Sequence, residues 1–349
     1  MTSSRSRDSK DKIPAPISWE NGRVVILDQT RLPSSEKFIS SADYRDVCEW
    51  IGSLRIRGAP AIGIAAAYAA ALAADEYGST GRIDRRLDAA LKEIECTRPT
   101  AVNLRNVLVR LRKMDFGNGR VADVLLAEAH RILSEEVEAC RRIGEFGNEL
   151  VPKRAVIMTH CHTGGLATGG FGTALGVIRA AHEAGKKVTV IVDETRPLLQ
   201  GARLTAYELQ KLGIDFKLIV DGASGIAIGR FKADLAIVGA DRIAANGDTA
   251  NKIGTYNLSA VCKENGVPFY VAAPRSSFDP AAKSGDDIPI EERNPDEVTS
   301  IAGRRTSPEG ISVFAPAFDV TPAGNISAFV TERGIIRKPF TKNIPKLVG

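Results

Sequence analysis

The sequence predicts an α/β protein: a mostly helical N-terminal domain followed by a Rossmann-like, doubly wound parallel-sheet domain. Three observations carry this. Apolar residues recur at helical spacing up to Pro152 and change there to short β-branched runs separated by helix-length segments. Strands that apolar, spaced by helices, belong to a parallel sheet covered on both faces. A chain of 349 residues is also too long for one ordinary core, and two domains of roughly 100–200 residues are expected.

In chain order, residues 1–14 read as a flexible tail, because Met1 to Lys12 is polar and lacks the apolar core of a signal peptide. Residues 15–152 form the helical domain. A strand over Arg23–Leu27 opens it, and helices are expected over Ala42–Ser53, Pro60–Ala74, Ile83–Glu95, Ala101–Met114 and Val121–Leu150. The uncharged run Ala59 to Ala74 falls short of the roughly 20 residues a membrane span requires. It is read as an alanine-rich helix buried between neighbours. Gly117, Asn118 and Gly119 punctuate the domain, and Pro152 ends it, since proline cannot continue a helical hydrogen-bond ladder.

Residues 153–349 form the sheet domain, with strands expected over Ala155–Thr159, Val188–Val192, Phe216–Val220, Leu235–Val238 and Phe269–Ala272. Ligands of such sheets bind beyond the carboxyl ends of the strands. Cys161, Asp193 with Glu194, Asp221 and Asp241 stand just after the first four of these runs. Residues 276–308, rich in Pro, Ser, Asp and Arg, read as an irregular excursion.

Composition removes several function classes. The apolar share of 44% and charged share of 26% are those of a soluble globular protein. Net charge is +5; Arg5, Arg7, Lys10 and Lys12 against Asp8 and Asp11 account for +2, leaving +3 for the rest. With 6% aromatic residues and no basic stripe, nucleic acid is not an expected partner, and neither is a membrane. The five cysteines are odd in number, widely spaced and never in a Cys-x-x-Cys pair. A reducing, cytoplasmic setting fits them.

Four motifs carry chemistry. In Thr159-His160-Cys161-His162-Thr163-Gly164-Gly165 a thiol at a strand end leads into the helix around Thr173 to Ala181, and a helix N-terminus or nearby imidazoles can lower its pKa. Cys161 is a candidate base or nucleophile; its bland reading is a buried structural cysteine. His160 and His162, two apart on an extended strand, would share one face as metal ligands do, with a carboxylate such as Asp241 as third ligand. Gly170-x-Gly172-x-x-x-Gly176, followed by Asp193 and Glu194, imitates a dinucleotide fingerprint. That fingerprint needs its first glycine directly after the strand, and Gly170 comes eleven residues after Thr159.

Arg57-Gly58-Ala59-Pro60 places an arginine and a glycine before a helix start, which is either a phosphate cradle or a solvated arginine before an ordinary helix. Gly239-Ala240-Asp241-Arg242 follows an apolar strand. Asp241 is a general acid if burial raises its pKa, with Lys252 available for a phosphate, or else a helix cap.

Together these stretches resemble the 5-methylthioribose 1-phosphate isomerases of methionine salvage, a family related to translation initiation factor two-B subunits. The resemblance runs from Leu27-Asp28-Gln29-Thr30 through Arg57-Gly58-Ala59-Pro60-Ala61-Ile62-Gly63, Arg98-Pro99-Thr100-Ala101-Val102-Asn103-Leu104 and Gly172-Thr173-Ala174-Leu175-Gly176-Val177-Ile178-Arg179. It continues over Asp193 to Thr205, Gly239 to Ile243 and Asn251 to Thr255. It implies that Asp241 is the proton donor and Cys161 the second catalytic group. Substrate contacts are implied for Arg57, Gly58, Ala59, Arg98, Gln200, Asn251 and Lys252, with Arg57 and Arg98 clamping the phosphate. Neither a metal nor a cofactor is implied, and a homodimer is.

Two departures from the family pattern stand out. His162 stands where the family usually has Asn, and this histidine resembles the related ribose 1,5-bisphosphate isomerases; the run from Asp221 to Ile228 replaces a methionine-containing stretch. Both are expected to face the site and to bear on the sugar's 5-substituent. The alternatives are therefore a sister isomerase of ribose 1,5-bisphosphate or 5-deoxyribose 1-phosphate, and a non-catalytic, initiation-factor-like regulatory subunit.

Overall fold

A computed structural model of the chain describes residues 13–98 and 102–348. Residues 1–12 of the expected tail and the stretch Pro99-Thr100-Ala101 lie outside the described residues.

The N-terminal part opens with a three-stranded antiparallel sheet of β1 (Ile17–Glu20), β2 (Arg23–Leu27) and β3 (Phe38–Ser41). Five helices follow: α1 (Tyr44–Gly52), α2 (Ala59–Tyr77), α3 (Arg85–Cys96), α4 (Val102–Arg112) and α5 (Val121–Asn148). Asp43 and Asp84 cap α1 and α3 by accepting backbone N–H groups of their first turns. Helix α2 has proline in its first turn and ends at Gly78, whose φ of 62° is the left-handed stop that glycine adopts without a Cβ penalty. Every residue from Ala61 to Ala74 is buried. Its alanines let the other four helices approach on all sides, which explains why the run is apolar all round rather than striped. Only β2 was legible here, because β1 and β3 have four residues each, too few for an alternation to register.

The second part holds a seven-stranded sheet. Its strands, with the helices between them, are β4 (Arg154–Thr159), α6 (Ala174–Glu183), β5 (Lys187–Asp193), α7 (Ala206–Leu212), β6 (Asp215–Ile219), α8 (Ser224–Phe231) and β7 (Leu235–Val238). A small accessory sheet interrupts the series with β8 (Arg242–Ala244) and β9 (Thr249–Lys252). Then come α9 (Thr255–Glu264), β10 (Phe269–Ala272), β11 (Phe278–Asp279), α10 (Asp296–Thr299), the two-residue strands β12 (Ser300–Ile301) and β13 (Arg304–Arg305), β14 (Phe318–Thr321), β15 (Ala328–Thr331), β16 (Gly334–Arg337) and α11 (Phe340–Val348).

The main sheet runs β16-β15-β10-β7-β4-β5-β6, parallel except for β16. The chain lays strands outward from β4 to β6, returns, and lays the next from β7 in the opposite direction. The topological switch point therefore falls between β4 and β7, where open α/β sheets bind ligands. One apolar core, with side chains of α5, α6 and α7, covers one face, and a second, with α8, α9 and α11, covers the other. The accessory sheet, ordered β11-β8-β9-β14, follows from the loop after β7. Residues 276–308 are largely irregular, as expected, with β11, α10 and the β12–β13 pair as short islands. Among the described residues no helix is long and apolar enough to cross a membrane.

Candidate active site

At the switch point the molecule has a cleft of about 1330 Å³. All nine residues singled out from the sequence line it: Cys161 and Asp241, then Arg57, Gly58, Ala59, Arg98, Gln200, Asn251 and Lys252. The topology explains the meeting, since Cys161 leaves β4 and Asp241 leaves the adjacent β7, while β9 carries Asn251 and Lys252 and the start of α2 carries Arg57 to Ala59.

Cys161 has a φ of 64°, a left-handed conformation that costs a non-glycine residue roughly 1–3 kcal/mol. Two threonines hold it there. The Cys161 N–H donates to Thr195 Oγ1 at 2.8 Å, and Thr205 Oγ1 donates to the Cys161 carbonyl at 2.6 Å. Burial pushes the thiol above its ordinary pKa, while Arg57, Lys252 and the His162 backbone N–H pull it back. Asp241 is held through its backbone N–H, which donates to Ala250 O at 3.0 Å. Burial raises its carboxyl above the usual range against the opposing charges of Lys252, Arg57 and Arg98, favouring the protonated form. Lys252 is shifted down by the same desolvation, and its Nζ lies 4.7 Å from the centroid of the Phe318 ring. An acid whose pKa is raised and a thiol beside cations make a pair suited to moving protons.

The first turn of α2 meets the loop after β4 at close quarters. Gly58 has a φ of 96°, and a Cβ there would lie 2.3 Å from the Ala167 carbonyl oxygen. Arg57 Nη2 donates to the His162 carbonyl at 2.9 Å, and its Nη1 is buried without a partner. Arg98, shifted down by burial, stands 3.8 Å from Glu291. Gln200 Oε1 is buried and unpartnered, and Asn251 Nδ2 donates to Thr255 Oγ1 at 3.0 Å. Arg57 Nη1 and Gln200 Oε1 thus offer the cleft a donor and an acceptor that no protein group engages.

The two histidines do not converge as ligands on one face. Strand β4 ends at Thr159, and the left-handed turn at Cys161 breaks the alternation that would have aligned them. His160 Nε2 donates to the Ile253 carbonyl at 2.8 Å, and its Nδ1 lies 3.0 Å from Asp193 Oδ2. Because a carbonyl only accepts, Nε2 carries a proton, and the Asp193 contact holds a further one. His162 Nε2 lies 2.8 Å from Glu208, which also accepts the N–H groups of Gly165 and Leu166. Although burial opposes its charge, His162 and these amides hold Glu208 below the ordinary carboxylate range. Burial keeps His162 below its own usual value, so the imidazole is neutral.

Two of the three fingerprint glycines have a packing explanation, and the first, Gly170, has a φ of 130°. A Cβ on Gly172 would lie 2.7 Å from Gly164, and one on Gly176 would lie 3.1 Å from the Phe171 ring. Asp193, the acid a ribose would need, is engaged by His160 and by Ser224 Oγ at 2.8 Å.

Of the two departures, only His162 lines the cleft. The run from Asp221 to Ile228 does not, contrary to expectation, because it follows β6, the edge strand two places from the switch point. Ile226 in that run is 76% exposed. The cleft also takes residues the sequence did not single out: Gln29, Arg203, Arg293 and Glu297. Gln29 and Arg203 lay within the stretches of resemblance but in no motif with its own chemistry. Arg293 and Glu297 come from the irregular excursion, where no periodicity points inward.

A family model described as the Initiation factor 2 subunit family matches residues 55–338. The methylthioribose-1-phosphate isomerase of Pelotomaculum thermopropionicum is 52% identical over 94% of this chain and 92% of that relative. That of Geotalea uraniireducens is 51% identical over 95% and 98%. Among solved structures, 5-methylthioribose 1-phosphate isomerase from Pyrococcus horikoshii OT3 aligns with a TM-score of 0.87 at 41% identity, covering 96% of both chains. A structure described as translation initiation factor eIF-2B subunit delta, from A. fulgidus, aligns with a TM-score of 0.85 at 41% identity, covering 96% of this chain and 99% of the other. By sequence over nearly its whole length and by fold, the chain belongs to the methylthioribose-1-phosphate isomerase family, within the initiation factor 2 subunit family.

Proposed function

We propose that this chain isomerises 5-methylthio-D-ribose 1-phosphate to 5-methylthio-D-ribulose 1-phosphate, with Asp241 as acid and Cys161 as base. The observation that carries the reading is the pair itself, a carboxyl whose pKa burial raises and a thiol beside two cations, after neighbouring strands at one cleft. Phosphate on the anomeric oxygen locks the sugar as a cyclic acetal, so the ring must open before an aldose can become a ketose. Cys161, in the thiolate form that Arg57 and Lys252 favour against burial, removes the proton from C2 while the bond from C1 to the ring oxygen breaks and Asp241 protonates that oxygen. The resulting enol phosphate then takes the proton back from Cys161 at C1, and the C2 hydroxyl returns its proton to Asp241. Each group ends as it began, and no electron leaves the substrate.

Arg57 and Arg98 clamp the phosphate through charge-assisted bonds, with Gly58 and Ala59 at the α2 N-terminus beside them. Gln200, Asn251 and Lys252 contact the sugar and its phosphate. Five free cysteines suit a cytoplasmic enzyme. A second copy of the chain is the proposed partner, and the exposed Leu218, Val220 and Ile226 around the free edge strand β6 offer it an apolar face. Light scattering of the purified chain is expected to give twice the chain mass; a monomer mass would remove the second copy.

Incubation with 5-methylthioribose 1-phosphate, 5-deoxyribose 1-phosphate and ribose 1,5-bisphosphate, following ketose formation, tests the substrate. The methylthio sugar is expected to have the highest kcat/KM, and Cys161→Ser to lower kcat by about 10³-fold. Preference for another sugar would reassign the chain to a sister isomerase, and no turnover of any of them would leave a binding role.

A further inference from the structure

We infer that Arg203 is a further arginine of the anion subsite, facing the same phosphate as Arg57 and Arg98. The inference deepens the isomerase reading and rests on it for the identity of the anion. Seven arginines line the cleft: Arg31, Arg57, Arg98, Arg203, Arg242, Arg293 and Arg305. Five have a carboxylate within 4.0 Å: Arg31 has Asp28, Arg98 has Glu291, Arg242 has Asp279, Arg293 has Glu291 and Glu297, and Arg305 has Asp296. Among the described residues, Arg57 and Arg203 have none.

Both are instead held by carbonyl oxygens. Arg57 donates to His162 O, while Arg203 donates from Nη2 to Gln29 O at 2.7 Å, from Nε to Leu32 O at 3.3 Å and from Nη1 to Leu198 O at 3.3 Å. Carbonyls orient a guanidinium without neutralising it. The two cations are also close enough to act on each other, since burial first and the Arg57 charge second hold Arg203 below its ordinary basicity. Two like charges, partly desolvated and uncompensated, in one cleft are unfavourable until an anion enters. The carbonyl contacts account for three of the five guanidinium N–H donors of Arg203, leaving two for a ligand oxygen. A sugar phosphate supplies the missing counter-charge. The contacts to Gln29 and Leu32 also tie the loop after β2 to the cleft wall carrying Leu198 and Gln200. Arg203 thus positions that wall as well as binding the anion.

The test is inorganic phosphate binding by thermal shift and calorimetry, alongside steady-state kinetics, for wild type, Arg203→Gln, Arg203→Lys and Arg31→Gln. Arg203→Gln is expected to weaken phosphate binding and raise KM by about tenfold to a hundredfold, the range of a lost charge-assisted contact. Its ligand-free Tm should fall little, because a like-charge repulsion is removed along with the carbonyl contacts. Arg203→Lys should recover part of the phosphate affinity, and Arg31→Gln, already paired on the rim, none of the loss. A lowered ligand-free Tm with unchanged phosphate affinity and KM would make Arg203 a structural tie only and overturn the inference. Because phosphate binding is read without turnover, the two readings fail separately. Phosphate held by Arg203 in a chain that isomerises none of the sugars would sink the isomerase and keep the subsite.

Discussion

Asp241→Asn is expected to lower kcat on the methylthio sugar by about 10³-fold, the size of a lost general acid, with KM changed little. Asn keeps the shape of the neutral carboxylic acid but cannot give a proton to the ring oxygen, so binding survives and ring opening does not. Stability should move the other way. A carboxyl whose folded pKa is raised above its unfolded value favours the fold in its protonated form. That contribution is complete below the ordinary carboxylate range and is lost as pH rises through the raised value. Asn does not ionise, so the ligand-free Tm of the variant relative to wild type should rise with pH across that interval. A variant with near wild-type kcat would remove Asp241 from the acid role. One whose relative Tm fell with rising pH would show that Lys252, Arg57 and Arg98 outweigh burial, and that the resting group is a carboxylate.

The sheet was legible because its central strands are buried on both faces, which forces the continuous apolar runs that the sequence displays. β7 and β10 coincide with the expected segments residue for residue, whereas the edge strand β6 has no buried position and β16 only one, Ile336. The accessory sheet went unread. β8 and β9 have three and four residues, and they carry Arg242, Asn251 and Lys252, whose side chains serve the cleft rather than a core. Chemistry there overrides the pattern from which strands are recognised.

The same division holds at the site. Cys161 and Asp241 announce themselves as polar residues directly after apolar runs, and the strand-end rule sends both to the switch point. What hides is geometry set by a single dihedral. The φ of 64° at Cys161 turns His160 towards Asp193 and His162 towards Glu208, and no spacing in the sequence encodes that turn. Glu208 sits on α7, 46 residues from His162. The Asp221 to Ile228 run misled for a related reason: it follows a strand end, but the strand order decides which ends open on the cleft.

Gly58→Ala carries the largest structural effect. Only glycine reaches a φ of 96° freely, and an added Cβ would lie 2.3 Å from Ala167 O, 2.6 Å from Ala167 Cα and 2.7 Å from Ala167 Cβ. Backbone strain alone costs roughly 1–3 kcal/mol, and the clash forces the Gly165–Ala167 turn away from α2. Arg57 is the preceding residue and donates to His162 on the same loop, so its guanidinium shifts with the backbone. A misplacement of about 1 Å in a positioning group lowers turnover by about 10²-fold, and that loss in kcat/KM is expected together with a lower Tm. Gly170→Ala separates the two effects. Its φ is 130°, equally unsuited to a side chain, but nothing lies within 4 Å of the added Cβ and Gly170 does not line the cleft. It should lower Tm through strain while leaving KM near wild type. Equal kinetic losses in both variants would mean that general destabilisation, rather than the approach of α2 to the Cys161 loop, governs the site.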